Sequence, residues 1–290
     1  MSNRLGFLLR LGVSASILTL ILSRIPTDGL LERVTGAAPV FLAAALVLAL
    51  LIGVLVAMRW RLLANWLGLA VPVGLAVRAV FLGFFSSQAL PSTVGADLVR
   101  GYMVARHTAA IRRVAASVIA DRLAGLFALC LLLALFNPVL SQLPAPYAGV
   151  VVPVALLASG AVLLAFLLAC TGTAIRLEAR PIAGSVGVGL AIHALAVVSA
   201  SLVARAYGVE PSLAVWVSII PLSVLASAVP VSISGWGVRE GAIVLLAGPL
   251  GVPPAEALLV SLTIGVLNVA ASLPGALVLL RWHRAEHTTI

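Results

Sequence analysis

The stretch LPSTVGADLVRGY, residues 90–102, follows a long apolar run and decides how the chain is organised. Pro91 and Gly95 would interrupt a membrane helix, because proline lacks an amide hydrogen and glycine has low helix propensity. Asp97 and Arg100 follow at a spacing of three residues, which places both on one side of a helix. The stretch is therefore either a loop after a membrane span or a broken segment that holds polar groups near the bilayer.

The chain as a whole is far more apolar than a soluble protein. It has 290 residues, of which 62% are hydrophobic and 9% are charged, whereas soluble domains are about half apolar and a quarter charged. Its length accommodates roughly seven to nine spans of ~20 residues, which excludes a large soluble catalytic domain. We expect an all-α polytopic membrane protein that forms one domain over residues 1–290.

Apolar runs predict about eight transmembrane helices and two broken or re-entrant segments. The first run has a signal-like basic start but is interrupted by Arg10, and we expect it to be an uncleaved span. The broken segments cover about 85–102 and 230–250. The predicted spans are 7–23, 39–58, 72–90, 114–136, 147–169, 183–204, 212–230 and 256–280.

The basic residues predict the orientation in the plasma (inner) membrane. The net charge is +9 and every basic residue other than histidine is arginine. Because these arginines flank apolar runs, they indicate attraction to anionic lipid, and no nucleic-acid partner is expected.

Linkers 59–66 and 100–113 and the C-terminus are predicted to be cytoplasmic, so the chain between the two linkers must enter and return on one side. This predicts a hairpin or broken helix covered by protein or water.

A second stretch, SAVPVSISGWGVREGAIVLLAG at 227–248, has the same character. Its proline, Pro230, lies 139 residues after Pro91, which is close to half the chain. Two interrupted segments at matching places in two halves are typical of an internal repeat around a transporter's midplane site. A chance likeness of two loops is the alternative.

Asp121 lies inside the predicted span 114–136, about 12 Å along the helix from Arg113. A charge at that depth is costly and needs a partner or a cavity. Arg122 points about 100° away, so each of the two residues should find its partner on another element. Gly125 shares a face with Asp121 and lets a neighbour approach closely. Asp121 either fixes helix packing through an ion pair or acts on a substrate or proton.

The first broken segment predicts a helix start at Ser92 or Thr93, either of which is a good N-cap. Asp97 would then lie near the first turn, where the helix dipole favours an acid. The alternative is a solvated surface pair between Asp97 and Arg100.

The second broken segment predicts a helix that begins near residue 238. Its first N–H groups would aim into the glycine turn and bind an anion, and Arg239 would add a forked cation suited to phosphate. The alternative is a plain re-entrant turn in which Arg239 pairs with Asp97 or Asp121.

These observations give a candidate substrate-binding set and no catalytic, metal or cofactor site. His193 is expected to be a hydrogen-bonded packing residue, and Cys130 and Cys170 are expected to pack in apolar runs. No nucleotide-binding or hydrolase motif occurs in the sequence. The set comprises Ser92, Asp97, Arg100, Asp121, Arg122, Gly235, Gly237, Arg239 and Glu240.

Three blocks together resemble the lysylphosphatidylglycerol synthase transmembrane family, also described as flippase-like. They are LPSTVGADLVRGYMVAR, ASVIADRLAGLFAL and SGWGVREGAIVLL, in that order. The family often has two glycines before the acid of the first block, where this chain has Gly95 and Ala96. The resemblance implies an integral protein of a bacterial or archaeal plasma membrane. In full-length multiple-peptide-resistance proteins a similar domain moves aminoacylated phosphatidylglycerol between leaflets, and a separate soluble domain makes that lipid. No such synthase domain follows the last span here, so lysyltransferase activity is not expected.

We therefore expect a flippase-like translocase for a phosphate-bearing lipid, working by alternating access. Arg239 and Arg122 would engage the phosphate, while Asp97, Asp121 and Glu240 balance the arginines and one of these acids carries a coupling proton. One alternative is a non-transporting partner of a lipid or glycolipid biosynthesis enzyme, and another is a membrane-embedded transferase. The lipid, the direction and energy source of transport and the oligomeric state stay open.

Overall fold

The computed structural model describes residues 2–25, 29–88, 93–108, 110–135, 178–227 and 232–287. Over these residues the chain forms helices and turns, with no strand, so the all-α prediction is confirmed. The helices are α1 (Ser2–Arg24), α2 (Leu30–Thr35), α3 (Pro39–Trp66), α4 (Val73–Ser87), α5 (Thr93–Thr108), α6 (Ile111–Leu135), α7 (Ala179–Ala206), α8 (Leu213–Ser227), α9 (Val238–Ala247), α10 (Pro254–Ser272) and α11 (Pro274–His287).

Among the described residues, four helical stretches are long and apolar enough to cross a membrane. They are α3, α6, α7 from Arg180 onward, and α10 with the first part of α11. Helix α1 covers the predicted span 7–23 without reaching this standard, and the predicted span 147–169 lies outside the described residues. The protein is a multi-pass membrane protein, and its described part does not establish a total of eight spans.

Within the described residues, the two stretches expected to be full spans, 72–90 and 212–230, hold helices shorter than a span. Helices α4 and α8 have 15 residues each, which is about 22 Å of helix against a hydrocarbon core of ~30 Å. Helix α4 packs against α5. At Gly83 a Cβ atom would lie 2.7 Å from the Ala96 carbonyl oxygen of α5, so glycine is what lets the two helices meet.

Helix α3 continues past its predicted end at residue 58 and stops at Trp66. Arg59 and Trp60 are 7% and 0% exposed, so they lie within the bundle, although the sequence had assigned them to a cytoplasmic linker. The reason is that Leu63 and Ala64, both fully buried, carry the apolar face of the helix beyond Arg59. Burying this face outweighs the preference of one arginine for water, provided that its charge finds a partner.

The helix bounds support the predicted internal repeat. Helices α3 and α7 have 28 residues each, α4 and α8 have 15 each, and the later helix of each pair begins 140 residues after the earlier one (179 − 39 and 213 − 73). Helices α5 and α9, and α6 and α10, follow in the same order. The contacts between helices repeat as well: α6 packs against α7, and its counterpart α10 packs against α3.

The two halves run in opposite directions through the molecule. The Ala38 N–H at the start of α3 donates to the Ala206 carbonyl at the end of α7 (2.9 Å). Further along, Ser199 donates to the Ala45 carbonyl (3.4 Å), and Leu62 near the end of α3 lies against Gly184 near the start of α7. Helices α3 and α7 are therefore antiparallel at the centre of the bundle, and the repeat is inverted.

Each half has its own buried apolar cluster, and the outer surface is apolar as well. Trp60 lies in the first cluster and Trp216 in the second, both fully buried. On the outside, Leu245 and Ile119 are 73% and 53% exposed. Such surfaces suit lipid, where helices associate through close packing and polar contacts because apolar burial gives no driving force between them.

Candidate functional site

Five charged side chains from three helices form one network, here called the arginine–aspartate cluster: Arg59, Asp97, Arg100, Asp121 and Arg122. Asp121 on α6 is at its centre and is 2% exposed. Its Oδ1 lies 2.7 Å from Arg59 Nε on α3, and its Oδ2 lies 2.9 Å from Arg100 Nη1 on α5. The prediction that Asp121 finds its partners on other elements is confirmed.

Asp97 extends this cluster towards the more open side. Its Oδ1 is 2.7 Å from Arg100 Nη2, so the two residues lie on one side of α5, as their spacing predicted. Its Oδ2 binds Arg122 Nε, so Arg122 also has its partner on another helix. Asp97 therefore serves two arginines, and it lies just past the first turn of α5. With three arginines and two aspartates, the cluster carries one excess positive charge.

Aromatic and small residues shape the space around these arginines. The Arg100 guanidinium lies 4.9 Å over the Trp60 ring, an arrangement that stabilises a cation by about 0.5–2 kcal/mol. A Cβ atom on Gly125 would lie 2.8 Å from Arg59 Nη1, so the close approach predicted at this glycine is made by Arg59. His193 binds the Gly125 carbonyl through Nε2 (3.1 Å), as expected of a packing histidine. Arg100 Nε is buried without a hydrogen-bond partner.

A second group, the glycine-turn cluster, consists of Trp236, Gly237, Arg239, Glu240 and Ser261. Glu240 is fully buried, and its Oε1 lies 3.0 Å from Arg239 Nε and 2.5 Å from Arg239 Nη2. The Gly237 N–H donates to Glu240 Oε2 at 2.6 Å. Helix α9 begins at Val238 as expected. The N–H group of its N-cap residue, Gly237, is the one that the chain's own Glu240 carboxylate binds.

The backbone of the turn explains its glycines. Gly235 and Gly237 have φ angles of +81° and +86°, and Ser234, which lies between two buried neighbours, has a φ angle of +50°. Residues other than glycine rarely adopt this left-handed region. A Cβ atom on Gly237 would also lie 3.1 Å from the Ser14 carbonyl oxygen of α1. The Ile233 N–H donates to Ser14 Oγ (3.1 Å). Helix α1 thus braces the turn.

The structure places the candidate residues in two clusters, each with its own ion pairs. Arg239 pairs with Glu240, not with Asp97 or Asp121 as one alternative held. The two broken segments nevertheless meet, since Ser234 Oγ lies 3.4 Å from Gln88 Oε1. Ser92, Pro91 and Pro230 lie outside the described residues.

The clusters occupy corresponding positions in the repeat. With the offset of 140 residues, Arg100 corresponds to Glu240 and Asp121 to Ser261. In the first half Arg100 binds Asp121, and in the second Ser261 donates to Glu240 Oε1 at 3.4 Å. A guanidinium also lies on the corresponding glycine of each half, Gly125 or Gly265. The same place thus holds an excess cation in one half and a neutralised pair in the other.

Arg59 is the member that the sequence reasoning missed. Its position beside other arginines suggested a cytoplasmic linker, but the apolar residues from Leu62 to Ala64 were the signal that the helix continued. Within the described part of the chain, no three His, Cys, Asp or Glu side chains are grouped to hold a metal ion. The chemistry available is that of guanidinium groups hydrogen-bonded to carboxylates. Because its side chain is 37% exposed, Arg122 can exchange the Asp97 carboxylate for another oxyanion.

One of three comparisons with known proteins gives a match. No curated protein and no solved structure matches the chain at a significant level. One family model matches residues 7–275, which is nearly the whole chain. The chain therefore belongs to the family described as the lysylphosphatidylglycerol synthase TM region.

Proposed function

We propose that this protein moves a phosphate-bearing lipid between the leaflets of the plasma membrane, with the arginine–aspartate cluster as its phosphate site. The observation that carries this proposal is the excess positive charge of that cluster among apolar helices. An uncompensated charge inside a membrane protein is costly. An anionic ligand that completes the charge balance is therefore favoured over neutral lipid.

The geometry supports Arg122 as the first contact of the phosphate. Its side chain is 37% exposed, compared with 6% for Arg100 and 9% for Arg59. A phosphate arriving at Arg122 replaces the Asp97 carboxylate, since guanidinium binds both anions through the same forked donors. Asp97 then keeps its bond to Arg100 or takes up a proton, which makes it our candidate for the coupling acid.

Arg239 has a later role in this scheme. Its guanidinium makes two bonds to Glu240 and lies 5.0 Å over the Trp236 ring. A phosphate can engage Arg239 only after the Glu240 carboxylate releases it, while Glu240 keeps the hydrogen bonds from the Gly237 N–H and Ser261. The second cluster therefore receives the headgroup after the first.

The inverted repeat supports alternating access as the mechanism. Inverted halves in transporters hold their substrate between broken segments, and rocking one half against the other exposes the site to each side in turn. Here the pairs α4–α5 and α8–α9 would be re-entrant hairpins that meet at Gln88 and Ser234. The linker after α3 would face the cytoplasm and the linker after α7 the outside.

The test is a leaflet-sidedness assay in reconstituted vesicles with a fluorescent phospholipid. Arg122→Ala and Arg239→Ala should each slow translocation at least tenfold, because each removes a forked phosphate donor. Arg78→Ala is the matched control, since Arg78 is exposed and, among the described residues, bonds to the Gly74 carbonyl of its own helix. Wild-type rates in both variants would remove these arginines from the mechanism. Lipid binding without movement by the wild type would favour a non-transporting partner of a lipid biosynthesis enzyme.

A further inference from the structure

A cavity of about 460 Å³ opens beside the turn that joins α7 to α8. Its polar lining includes Ser201, Arg205 and Glu210, and its apolar lining includes Leu202 and Leu213. The volume is within the range of small-molecule sites, about 300–1,000 Å³. An amphipathic lining at the end of a membrane helix is the environment of a lipid headgroup and the first part of its chains.

The corresponding turn of the first half has the same backbone. Gly68 and Gly208 have φ angles of +76° and +71°. Their N–H groups donate to the carbonyls of Asn65 and Arg205 respectively, both at 3.0 Å. Because the backbones match, any difference between the two turns must come from their side chains.

Those side chains close the first turn and leave the second one open. In the first half Arg61 Nε donates to the Val71 carbonyl (2.9 Å), and Asn65 Oδ1 accepts from the Val71 N–H (3.0 Å). The residues 140 positions later are Ser201, Arg205 and Pro211. Serine is too short to reach across, arginine has no acceptor and proline has no N–H to donate. The cavity thus lies at the repeat-related position of the turn that Arg61 closes.

We propose that this cavity binds a zwitterionic phospholipid headgroup, with Arg205 on the phosphate and Glu210 on the ammonium group. Both side chains are exposed, and neither forms an ion pair with any residue that the structure describes. The two charges of opposite sign match the two charges of such a headgroup, whereas an anionic headgroup would leave Glu210 repelled. Leu202 and Leu213 contact the start of the acyl chains.

This site is separate from the arginine–aspartate cluster. Leu62, close to Arg59, lies against Gly184 near the start of α7, whereas Arg205 is at the end of that helix. The cavity therefore lies towards the opposite end of α7 from Arg59. Lipid binding here does not depend on translocation, and a failed transport assay would leave it unaffected.

The test is native mass spectrometry of the purified protein titrated with phosphatidylethanolamine or with phosphatidylglycerol. Every protein in this test also carries Arg122→Ala, which removes the exposed phosphate contact of the arginine–aspartate cluster, and the protein with this change alone is the reference. The reference protein should retain phosphatidylethanolamine in preference. Glu210→Gln should abolish the preference by weakening phosphatidylethanolamine about tenfold, the effect of one charged hydrogen bond. Arg205→Ala should weaken both lipids, and Ser201→Arg, which restores the residue found in the first half, should fill the cavity and exclude both.

Arg78→Ala in the same background is the control and should bind as the reference protein does. Thermal unfolding in detergent shows whether each variant is folded, and if Ser201→Arg does not fold, Glu210→Gln and Arg205→Ala decide the test. Equal retention of both lipids by the reference protein would overturn the proposal. So would an unchanged preference in folded Glu210→Gln.

Discussion

Asp121 is the residue on which the interior charges depend, because it binds Arg59 and Arg100 from two different helices. All three residues are less than 10% exposed. Water cannot solvate the arginines if the carboxylate is lost. The buried acid therefore holds α3, α5 and α6 together while it makes the site possible.

We predict that Asp121→Asn destabilises the protein by about 3–5 kcal/mol, the usual cost of removing one partner from a buried ion pair. The asparagine keeps the size of the side chain but leaves Arg59 without a carboxylate partner and Arg100 with Asp97 alone. Thermal unfolding in detergent measures the effect. Arg59→Met in the Asp121→Asn background should recover part of the loss because it removes the unpaired cation. An unchanged unfolding temperature in the single variant would show that these ion pairs do not stabilise the protein.

The sequence predicts these residues individually better than it predicts their grouping. Asp121 is conspicuous because a carboxylate within an apolar run is costly, and the need for partners on other helices follows from helix geometry alone. Which arginines pair with Asp121 depends on tertiary packing, and no local sequence pattern encodes that packing. Arg59 was missed for this reason, and one of the two alternatives paired Arg239 with Asp97 or Asp121 although its immediate neighbour Glu240 was available.

At the scale of elements, short helices and close contacts at glycine determine the shape of the bundle. Helix α11 follows α10 after Leu273 and packs on α4 through Gly275. A Cβ atom on Gly275 would meet the Phe81 carbonyl oxygen. Backbone cannot yield as a flexible side chain can, so the contact requires glycine.

We predict that Gly275→Ala lowers the unfolding temperature clearly, since overpacking of this kind costs about 1–3 kcal/mol. Gly74→Ala is the control: Gly74 is in the first turn of α4 with nothing within 4 Å of its Cβ position. The control should be neutral or stabilising by up to about 1 kcal/mol through reduced unfolded-state entropy. Equal unfolding temperatures for the two variants would contradict the packing of α11 on α4.

The sequence predicted helices where the structure has them, but it did not predict their ends. Apolar composition continues through 72–90 and 212–230, and composition does not show where a helix ends. Within the described residues, α4 and α8 end at Ser87 and Ser227. Pro91 and Pro230, which indicated the two breaks, lie outside the described residues.

At the scale of the whole molecule, the inverted repeat requires corresponding turns to lie at opposite ends of the bundle. We predict that cysteines at Ala70 and Glu210, exposed residues 140 positions apart, label from opposite sides of the membrane. A membrane-impermeant maleimide applied to oriented vesicles measures this, in a background where Cys130 and Cys170 are alanine. The positive-inside rule assigns Ala70 to the cytoplasmic side. Labelling of both positions from one side would contradict the inverted arrangement.

The central claim is that the excess positive charge of the arginine–aspartate cluster selects a lipid phosphate for translocation. The most direct measurement reconstitutes the wild-type protein in vesicles and compares the leaflet exchange of two fluorescent lipids, a phospholipid and a phosphate-free glycosyl diacylglycerol. The account predicts that the phospholipid exchanges at a rate that rises with the amount of protein, while the glycolipid stays at the protein-free rate. Equal acceleration of both lipids, or of neither, would contradict it.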